Sequence, residues 1–308
     1  MRDTILYGDC RETLKKINVK VRTCVTSPPY YGLRDYGGED DQIGLEQTPE
    51  EYIDSLVKVF KEVRNVLTDD GTLWVNLGDS YYNYRPGKGQ SYPKQSVSKT
   101  TQDLPQECNK RGNKLQGLKE KDLIGIPWLF AFTMRNDGWY LRQDIIWSKP
   151  NPMPESVKDR CTKAHEYIFL FSKNKNYFYN NEAIKEPAKD WGTRDRTNGK
   201  YHNEGTGLQP HSGLTKSYPT KNKRSVWTVT NKPYREAHFA TYPPDLIEPC
   251  IKAGSEEGDI VLDPFMGSGT TGMVARQLGR YYIGCELHKD YEKLISNRIP
   301  LSVLDLAQ

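Results

Sequence analysis

Apolar and polar positions alternate along the 308-residue chain in a way that predicts strands and helices in the order typical of an α/β protein. Short apolar runs at residues 4–7, 21–26 and 72–77 end at turn residues and have the composition of strands. The segment 48–69 instead repeats apolar residues at helical spacing, after a threonine, a proline and two glutamates that favour a helix start. We expect Asp70-Gly71 to end this helix and a right-handed parallel crossover to join the strands on either side.

The same alternation continues in the rest of the chain, where two polar stretches interrupt it. The stretch at residues 84–121 has almost no apolar periodicity and is predicted to be a loop. The stretch at residues 192–232 is also polar, with several lysines and arginines and scattered aromatic residues, and a solvated loop is one interpretation of it. Further helices are predicted at residues 11–17, 122–136, 245–253 and 272–278, and further strands at residues 139–147, 259–262 and 281–285.

Charge, hydropathy and cysteine spacing restrict the class of protein. Lysine and arginine (44) slightly outnumber aspartate and glutamate (40), and a net charge of +4 neither requires nor excludes a polyanionic partner. No apolar run approaches the roughly 20 residues of a membrane span, and no signal-peptide pattern is found. None of the six cysteines forms a C-x-x-C pair. We expect a cytoplasmic protein with reduced thiols, no membrane association and no metal.

A glycine-rich segment beginning at Asp263 lies between a predicted strand and a predicted helix. Glycines at such a turn let the backbone approach a ligand, and an acid about 20 residues later, Glu286, suits a ribose. The segment lacks the lysine of a phosphate loop and the third glycine of a dinucleotide fingerprint. Asp263 would repel a pyrophosphate and attract an amino group or a sulfonium ion. These features favour S-adenosyl-methionine over a nicotinamide dinucleotide.

The second segment, Ser27-Pro28-Pro29-Tyr30, follows the strand predicted at residues 21–26. Two consecutive prolines cannot continue strand pairing, so the chain must turn there. The Ser27 hydroxyl and the Pro28 carbonyl are acceptors that could assist attack by an exocyclic amine. Stacking of a base on Tyr30 would be worth roughly 1–3 kcal/mol, which helps offset extrusion of that base from a duplex. The alternative is an ordinary proline turn with a core tyrosine.

Together the two segments resemble the motifs of the amino-group DNA methyltransferases. The S-P-P-Y segment is similar to their catalytic motif and the D-P-F-x-G-S-G-T-T segment to their cofactor motif, in the order of the permuted, or beta, class. Segments 71–79, 145–154, 165–168 and 238–243 also resemble family segments. The resemblance implies a Rossmann-like α/β fold with a mostly parallel twisted sheet, helices on both faces and a small polar target-recognition region.

The resemblance also implies a domain organisation and roles for individual residues. Residues 1–185 and 233–308 would be the catalytic and cofactor-binding parts of one domain, with target recognition at residues 186–232. The loop at residues 84–121 would close over DNA or be a plain insertion. The implied catalytic residues are Ser27, Pro28, Pro29 and Tyr30. The implied S-adenosyl-methionine site comprises Asp9, Thr26, Phe239, Pro243, Asp263, Pro264, Phe265, Gly267, Ser268, Gly269, Thr270, Thr271 and Glu286. The implied DNA contacts are Arg194, Arg196, Lys221, Lys223 and Arg224.

The implied reaction moves a methyl group from S-adenosyl-methionine to the exocyclic amine of a flipped base in double-stranded DNA. Serine at the first motif position is associated in this family with cytosine N4, whereas aspartate is associated with adenine N6, which stays the alternative. Methylation at cytosine carbon is disfavoured, because Cys250 is followed by Ile251 and lies in a predicted amphipathic helix. A homodimer and a cognate restriction endonuclease are further partners that the resemblance suggests.

Two other classes of function stay open from the sequence. A nicotinamide-dependent oxidoreductase is disfavoured by the missing third glycine and by the charge of Asp263. A non-catalytic nucleic-acid-binding protein is disfavoured because Ser27 and Asp263 are both intact. A methyltransferase acting on RNA or on a small molecule is a minor alternative.

Overall fold

An eight-stranded sheet lies at the centre of the protein, for which the computed structural model describes residues 1–33, 42–82, 115, 117–188, 219–231 and 242–299. The strands are β1 (Thr4–Tyr7), β2 (Val21–Thr26), β3 (Leu67–Leu77), β4 (Tyr140–Ser148), β5 (His165–Ser172), β6 (Glu186–Pro187), β7 (Thr220–Lys221), β8 (Val226–Thr228), β9 (Ile260–Asp263) and β10 (Tyr281–Glu286). The helices are α1 (Cys10–Thr13), α2 (Pro49–Val66), α3 (Ile126–Asn136), α4 (Pro244–Gly254), α5 (Thr270–Gln277) and α6 (Glu292–Arg298).

The sheet is mostly parallel, as the sequence predicts. Its strand order is β1-β10-β9-β2-β3-β5-β4-β8, and β6 and β7 form a separate two-stranded sheet. Only β5 runs against its neighbours β3 and β4 among the described strands of the large sheet. The predicted fold class is therefore confirmed.

Helices cover both faces of the sheet, because successive strand residues point to opposite sides. In β3, Leu73 and Val75 join a core cluster with residues of α1, α2 and α3. Trp74, between them, joins a second cluster with residues of α4, α5 and α6. Among the described residues, three helices thus cover each face of the sheet, and the carboxyl ends of the strands are left open for a site.

The helix α2 begins as predicted but ends earlier. Thr48 and Glu51 form a reciprocal capping box at its start. The helix ends at Val66 rather than at Asp70-Gly71, because Leu67 is fully buried and pairs with Val21 of β2. Asp70 lies within β3 and forms an ion pair with Arg22 of β2 at 2.5 Å. The pairing of β2 with β3 is parallel, so the predicted parallel arrangement is correct.

Three other predicted helix boundaries are wrong by a few residues. The helix predicted at residues 122–136 begins at Ile126, because Asp79 accepts hydrogen bonds from the amides of Gly125 and Ile126 and so caps it there. The helix predicted at residues 11–17 is a short α1, capped by Asp9, followed by a 3-10 turn over Leu14–Lys16. The helix α5 begins at Thr270 rather than at residue 272.

The strand order reverses between β2 and β9. From β2 the chain crosses through α2 to β3 on one side, whereas from β9 it crosses through α5 to β10 on the other. In open α/β sheets the crevice at the carboxyl ends of such strands is where ligands bind. The fold therefore designates the ends of β2 and β9 as the place for a site.

Several predicted segments lie outside the described residues or are not tested by the fold. The loop predicted at residues 84–121 and the polar stretch at residues 192–232 are described only at residues 115, 117–121 and 219–231. Within that second stretch, β8 pairs with β4 at the edge of the large sheet. The division at residues 185 and 232 stays a prediction. Among the described residues, no helix is long and apolar enough to cross a membrane.

Candidate active site

The two sequence motifs meet at the switch point of the sheet. The strands β2 and β9 are parallel neighbours, and each is followed immediately by one motif. The hydroxyl of Thr26, the last residue of β2, donates a 2.5 Å hydrogen bond to Oδ1 of Asp263, the last residue of β9. Segments 237 residues apart in the chain are therefore joined by one hydrogen bond.

The glycine-rich turn needs glycine for its backbone conformation. Gly267 and Gly269 have φ values of +53° and +82°, a region that side chains rarely allow. The amide of Gly267 donates a 2.8 Å hydrogen bond to Oε2 of Glu286, while the amide of His288 donates to Oε1 at 3.0 Å. Burial raises the pKa of Glu286 to about 7, although these backbone hydrogen bonds act in the opposite direction. An acid at the tip of β10 is thus fixed beside the turn.

The carboxylate of Asp263 is enclosed by the protein. Its side chain accepts from the Thr26 hydroxyl and the Phe265 amide at Oδ1, and from the hydroxyls of Tyr242 and Thr271 at Oδ2. The residue is only 1% exposed. Burial raises the pKa of Asp263, and the four hydrogen bonds partly offset that effect. Asp263 therefore connects β2, the glycine-rich turn, α5 and the chain preceding α4.

The Ser-Pro-Pro-Tyr turn is held by α2 and β3. The Tyr52 hydroxyl of α2 donates a 2.8 Å hydrogen bond to the Pro29 carbonyl. The carbonyl of Pro28 accepts no hydrogen bond from the described part of the chain, so it is free to act as an acceptor. A Cβ on Gly78 would lie 2.6 Å from the Tyr30 ring, so only glycine lets that ring pack against the end of β3.

A second carboxylate holds the other end of Tyr30. The Tyr30 hydroxyl lies 2.6 Å from Oε2 of Glu166, the second residue of β5, and 3.2 Å from Oδ1 of Asn76. Lys149, just after β4, forms an ion pair with the other oxygen of Glu166. Burial, followed by the charge of Glu166, raises the pKa of Tyr30 well above its usual value. The tyrosine is therefore a neutral hydrogen-bond donor over the working pH range.

The remaining predicted cofactor residues lie around the glycine-rich turn, with one outside the described residues. Asp9 caps α1 and forms an ion pair with Arg11 at 2.7 Å, and its neighbour Gly8 donates to the Glu286 carbonyl. Pro243 is the residue before α4. Pro264, Ser268, Thr270 and Thr271 are buried in the turn and at the start of α5, Phe265 is half-buried, and Phe239 lies outside the described residues.

Three of the five predicted DNA contacts can be placed. Lys221 and Arg224 are exposed, and both pair with Glu186, at 3.9 and 2.9 Å. Burial acts to raise the pKa of Glu186, but the hydrogen bonds and charge of Arg224 lower it overall. The ammonium of Lys223 lies 5.1 Å from the centre of the Trp227 ring. Arg194 and Arg196 lie outside the described residues.

Sequence reasoning missed four residues of this site: Asn76, Lys149, Glu166 and Tyr242. Each of them lies in a segment that resembles a family segment, but no role follows from the resemblance alone. The one feature of the sequence that could have indicated a functional residue is the charged Glu166 directly before the apolar residues of β5. The antiparallel register that brings β4 and β5 together, and hence Lys149 to Glu166, is not readable from the sequence.

The sequence predicts that Cys250 is not a catalytic nucleophile and that the protein binds no metal. Cys250 is 1% exposed inside α4 and its thiol contacts the Leu246 carbonyl, which agrees with a core residue rather than a nucleophile. Burial raises the pKa of that thiol. In the described part of the chain, no group of three or more His, Cys, Asp or Glu side chains could hold a metal ion.

Comparison with known proteins gives consistent matches over most of the chain. The DNA methylase family model matches residues 21–297. The type II methyltransferase M.XycI of Xanthomonas campestris pv. cyanopsidis is 46% identical over 96% of this chain and 87% of its own length. The type II methyltransferase M.SmaI of Serratia marcescens is 45% identical over 96% of this chain and 90% of its own length.

Solved structures share the fold at lower sequence identity. The PvuII DNA methyltransferase, described as cytosine-N4-specific, superposes with a TM-score of 0.62 at 19% identity, covering 98% of this chain and 88% of that one. A structure from Thermus thermophilus, described as a putative DNA modification methylase complexed with S-adenosyl-L-methionine, has a TM-score of 0.57 at 23% identity. It covers 96% of this chain and 92% of that one. These likenesses concern the Rossmann-like fold.

Proposed function

The chain belongs to the DNA methylase family that modifies exocyclic amines, and we propose that it methylates N4 of cytosine within a specific site of double-stranded DNA. Membership makes it an S-adenosyl-methionine-dependent DNA amino-methyltransferase, so the oxidoreductase and non-catalytic alternatives fall away. The observation that carries the choice of base is Ser27 at the first position of the S-P-P-Y motif. Adenine N6 is the alternative target in the same family.

The cofactor half of the site fits the chemistry of S-adenosyl-methionine. Glu286 is a buried carboxylate at the tip of β10, suited to two ribose hydroxyls, and Gly267 and Gly269 keep the neighbouring backbone free of side chains. When bound, the cofactor supplies an electrophilic methyl group on a sulfonium ion. We propose that Asp263, whose oxygens are already occupied, favours that positive charge through its electrostatic field rather than through a direct hydrogen bond.

The base half of the site fits an extruded aromatic amine. We propose that the Ser27 hydroxyl and the Pro28 carbonyl accept the two amino hydrogens, which draws the nitrogen lone pair out of conjugation and towards the methyl group. Tyr30 would contact the base ring, and Pro29 keeps the turn rigid. Most of the rate would come from orientation of the two reactants in a cleft that excludes water.

The polar region at residues 186–232 is proposed to read the DNA sequence. Lys221, Lys223 and Arg224 lie near one another on it, and cations of this kind suit phosphates and guanine edges. Arg194, Arg196 and the loop at residues 84–121 are proposed to complete the DNA contacts. Phe239 and Pro243 are proposed to cover the methionine side of the cofactor.

The proposal is tested by nucleoside mass spectrometry of DNA from cells that express the protein. We expect N4-methylcytosine, absent when Ser27→Ala is expressed at the same level. Ser296→Ala is the matched control, because that serine is exposed on α6 and donates to the Glu292 carbonyl of the same helix. Finding N6-methyladenine instead would overturn the base assignment, and finding neither base would overturn the proposed activity.

The relatives are named type II methyltransferases, which supports a proposal about the biological setting. We propose that the protein modifies cytoplasmic DNA and protects it from a restriction endonuclease of the same specificity. Purified plasmid carrying the modification should resist that endonuclease. A homodimer, common in the permuted class, is testable by native mass spectrometry.

A further inference from the structure

A long loop joins β4 to β5 at the edge of the sheet where the two motifs meet. The strands β2, β3 and β4 run in the same direction, because β2 pairs parallel with β3 and β5 pairs antiparallel with both β3 and β4. The carboxyl end of β4 therefore lies at the same edge as the Ser-Pro-Pro-Tyr turn. The β4–β5 loop, residues 149–164, has no helix or strand of its own. Loops of this length are usually either functional or disordered.

Contacts with the rest of the protein give the β4–β5 loop a defined shape. Glu155 accepts a 2.5 Å hydrogen bond from the Arg160 guanidinium, which lies 3.8 Å from the centre of the Tyr81 ring. Nearer to β4, the Asn151 side chain accepts from the Asn231 amide at 3.1 Å and donates to the Asn231 carbonyl at 3.3 Å. These contacts favour a functional explanation, and the second pair joins the loop to the polar region proposed to read DNA.

Met153 is the apolar residue that this loop leaves in solvent. It is 80% exposed, the largest value for any large apolar residue that the structure describes, and Val226 follows at 55%. A single exposed apolar residue needs no explanation by itself, but Met153 lies between Pro152 and Pro154. Each proline has a fixed φ, and Pro154 also holds Met153 in an extended conformation. The loop therefore presents an exposed methionine on a stiff backbone.

Met153 lies close to the base half of the site. Lys149, the first residue of the loop, forms an ion pair with Glu166, and the other oxygen of that carboxylate accepts from the Tyr30 hydroxyl at 2.6 Å. Four residues of extended chain span at most about 14 Å, so the backbones of Lys149 and Met153 are no farther apart than that. A base held against Tyr30 would therefore leave its duplex near Met153.

The charge of the β4–β5 loop suits the phosphates of DNA. Its cations outnumber its acids, and the exposed Lys158 is one of them. The cations are Lys149, Lys158, Arg160 and Lys163, and the acids are Glu155 and Asp159. An apolar side chain on a positively charged loop fits a ligand with phosphates outside and stacked rings inside.

We propose that Met153 inserts into the DNA base stack when the target base is extruded. The inference rests on the proposed function, in which the amine of an extruded base reaches the Ser-Pro-Pro-Tyr turn. Extrusion opens a gap in the stack and loses the stacking and pairing of that base. Apolar side chains such as methionine insert between bases in other DNA-binding proteins, and an unbranched thioether adapts to irregular gaps. Burial of Met153 in the gap offsets part of the cost of extrusion.

The test compares Met153→Ala with the wild type on two synthetic duplexes that contain the modified site, which sequencing of DNA from expressing cells locates. One duplex has a paired target base, and the other has an abasic residue opposite the target, which makes extrusion easier. We expect kcat/KM of Met153→Ala to fall about tenfold on the paired duplex but less than about threefold on the abasic one. Equal falls on the two duplexes, or no fall on the paired one, would overturn the proposal.

Three controls separate insertion from a general loss of function. Met153→Leu keeps an apolar side chain and should stay within about threefold of the wild type on both duplexes. Tyr140→Ala removes a 44% exposed side chain at the amino end of β4, at the opposite edge of the sheet, and should leave kcat/KM unchanged. The melting temperature of Met153→Ala should stay within about 2 °C of the wild type, and its Kd for S-adenosyl-methionine within about twofold. A larger change in either would show a role in the fold or the cofactor site and would overturn the proposal.

The wild-type protein in the same assay distinguishes failure of this inference from failure of the proposed function. If the wild type transferred no methyl group to the paired duplex, the proposed function would be refuted together with this inference. If the wild type and Met153→Ala were equally active on that duplex, only the insertion of Met153 would be refuted.

Discussion

Asp263, which is buried, and Glu166, which is half-buried, are carboxylates in the two halves of the proposed site, and the protein holds them in different ways. Asp263 is surrounded by four neutral donors, three of them hydroxyls, from four separate parts of the chain. Glu166 is instead paired with a cation, Lys149. The cofactor half thus offers a carboxylate held by neutral donors, while the base half is close to neutral.

This difference matches the charges of the two reactants. The donor in this family carries a positive sulfonium, which a carboxylate with neutral partners favours. The target base is uncharged before the methyl transfer. A base-binding part of the site without net charge would not attract ions that compete with that base. The comparison predicts that changes at Asp263 affect both the fold and cofactor binding, whereas changes at Glu166 affect the position of Tyr30.

The largest effect should come from Asp263→Asn. The amide cannot accept from all four donors, and each unsatisfied buried group costs about 1–3 kcal/mol. We expect activity to fall at least about 100-fold and the melting temperature to fall by about 5–10 °C. Thermal melting and a labelled methyl-transfer assay measure both. Asp290→Asn is the control, because that aspartate is exposed. If Asp263→Asn had the activity and melting temperature of the wild type, Asp263 would not be needed to connect the four parts of the chain that bond to it.

A smaller effect is expected when only the link between the two motifs is cut. Thr26→Val removes the hydroxyl that bonds to Asp263 while preserving shape. A hydrogen bond to a charged group is worth about 1.5–3 kcal/mol, so kcat/KM should fall about 10- to 100-fold. Thr26→Ser, which retains the hydroxyl, should stay within about threefold of wild type. Equal activity of the valine and serine variants would show that the link is unimportant.

The raised pKa of Glu286, at the end of β10, leads us to expect that cofactor binding depends on pH. Burial raises the pKa of Glu286 to about 7, and an ionised carboxylate is the better acceptor for ribose hydroxyls. The affinity for S-adenosyl-methionine should therefore rise about tenfold between pH 6 and pH 8. Calorimetry measures this, and Glu286→Gln should abolish the dependence. A flat profile in the wild-type protein would contradict the assignment.

The same raised pKa predicts the sign of a stability change without cofactor. The pKa of an unfolded glutamate is near 4.5 and that of the folded Glu286 is about 7, so the folded state binds the proton more tightly. The contribution of this group to stability is present below pH 4.5 and is lost as the pH rises through 7. Chemical denaturation measures the free energy of unfolding at about pH 5 and about pH 8. Its decrease from the lower to the higher pH should be larger for the wild type than for Glu286→Gln.

The smallest effect is expected outside both halves, at Arg224. Its side chain is 73% exposed, and surface pairs such as Arg224–Glu186 contribute about 0–1 kcal/mol, so Arg224→Ala should leave stability nearly unchanged. Affinity for DNA should weaken a few-fold, with a salt dependence shallower by about one unit. Fluorescence anisotropy at several salt concentrations measures this, with Lys58→Ala on the exposed side of α2 as control. An unchanged salt slope would remove Arg224 from the DNA contacts.

The sequence predicts the framework of this site well because local rules determine it. The capping box at Thr48 and the strand composition before Ser27 and before the glycine-rich turn each act over a few residues. The adjacency of β2 and β9 could be inferred only by resemblance, and the structure confirms that the two distant segments meet there. The early end of α2 escaped prediction because the tertiary partners Val21 and Arg22 decide it.

The contacts that join Tyr30, Asn76, Lys149 and Glu166 could not be predicted, because they too depend on tertiary partners. These residues come from the ends of four strands, and their contacts depend on the reversed direction of β5. Tyr242 likewise reaches Asp263 across 21 residues of chain. When strand pairing brings side chains together, each of them is only an isolated polar residue in the sequence, and nothing there indicates its partners.

The most direct test of the whole account is a crystal structure of the protein with S-adenosyl-methionine bound. The account predicts the ribose hydroxyls on Glu286, the cofactor along the turn from Asp263 to Gly269, and the methyl group directed at the Ser27 hydroxyl. A cofactor bound elsewhere, or one whose methyl group points away from the Ser-Pro-Pro-Tyr turn, would contradict it.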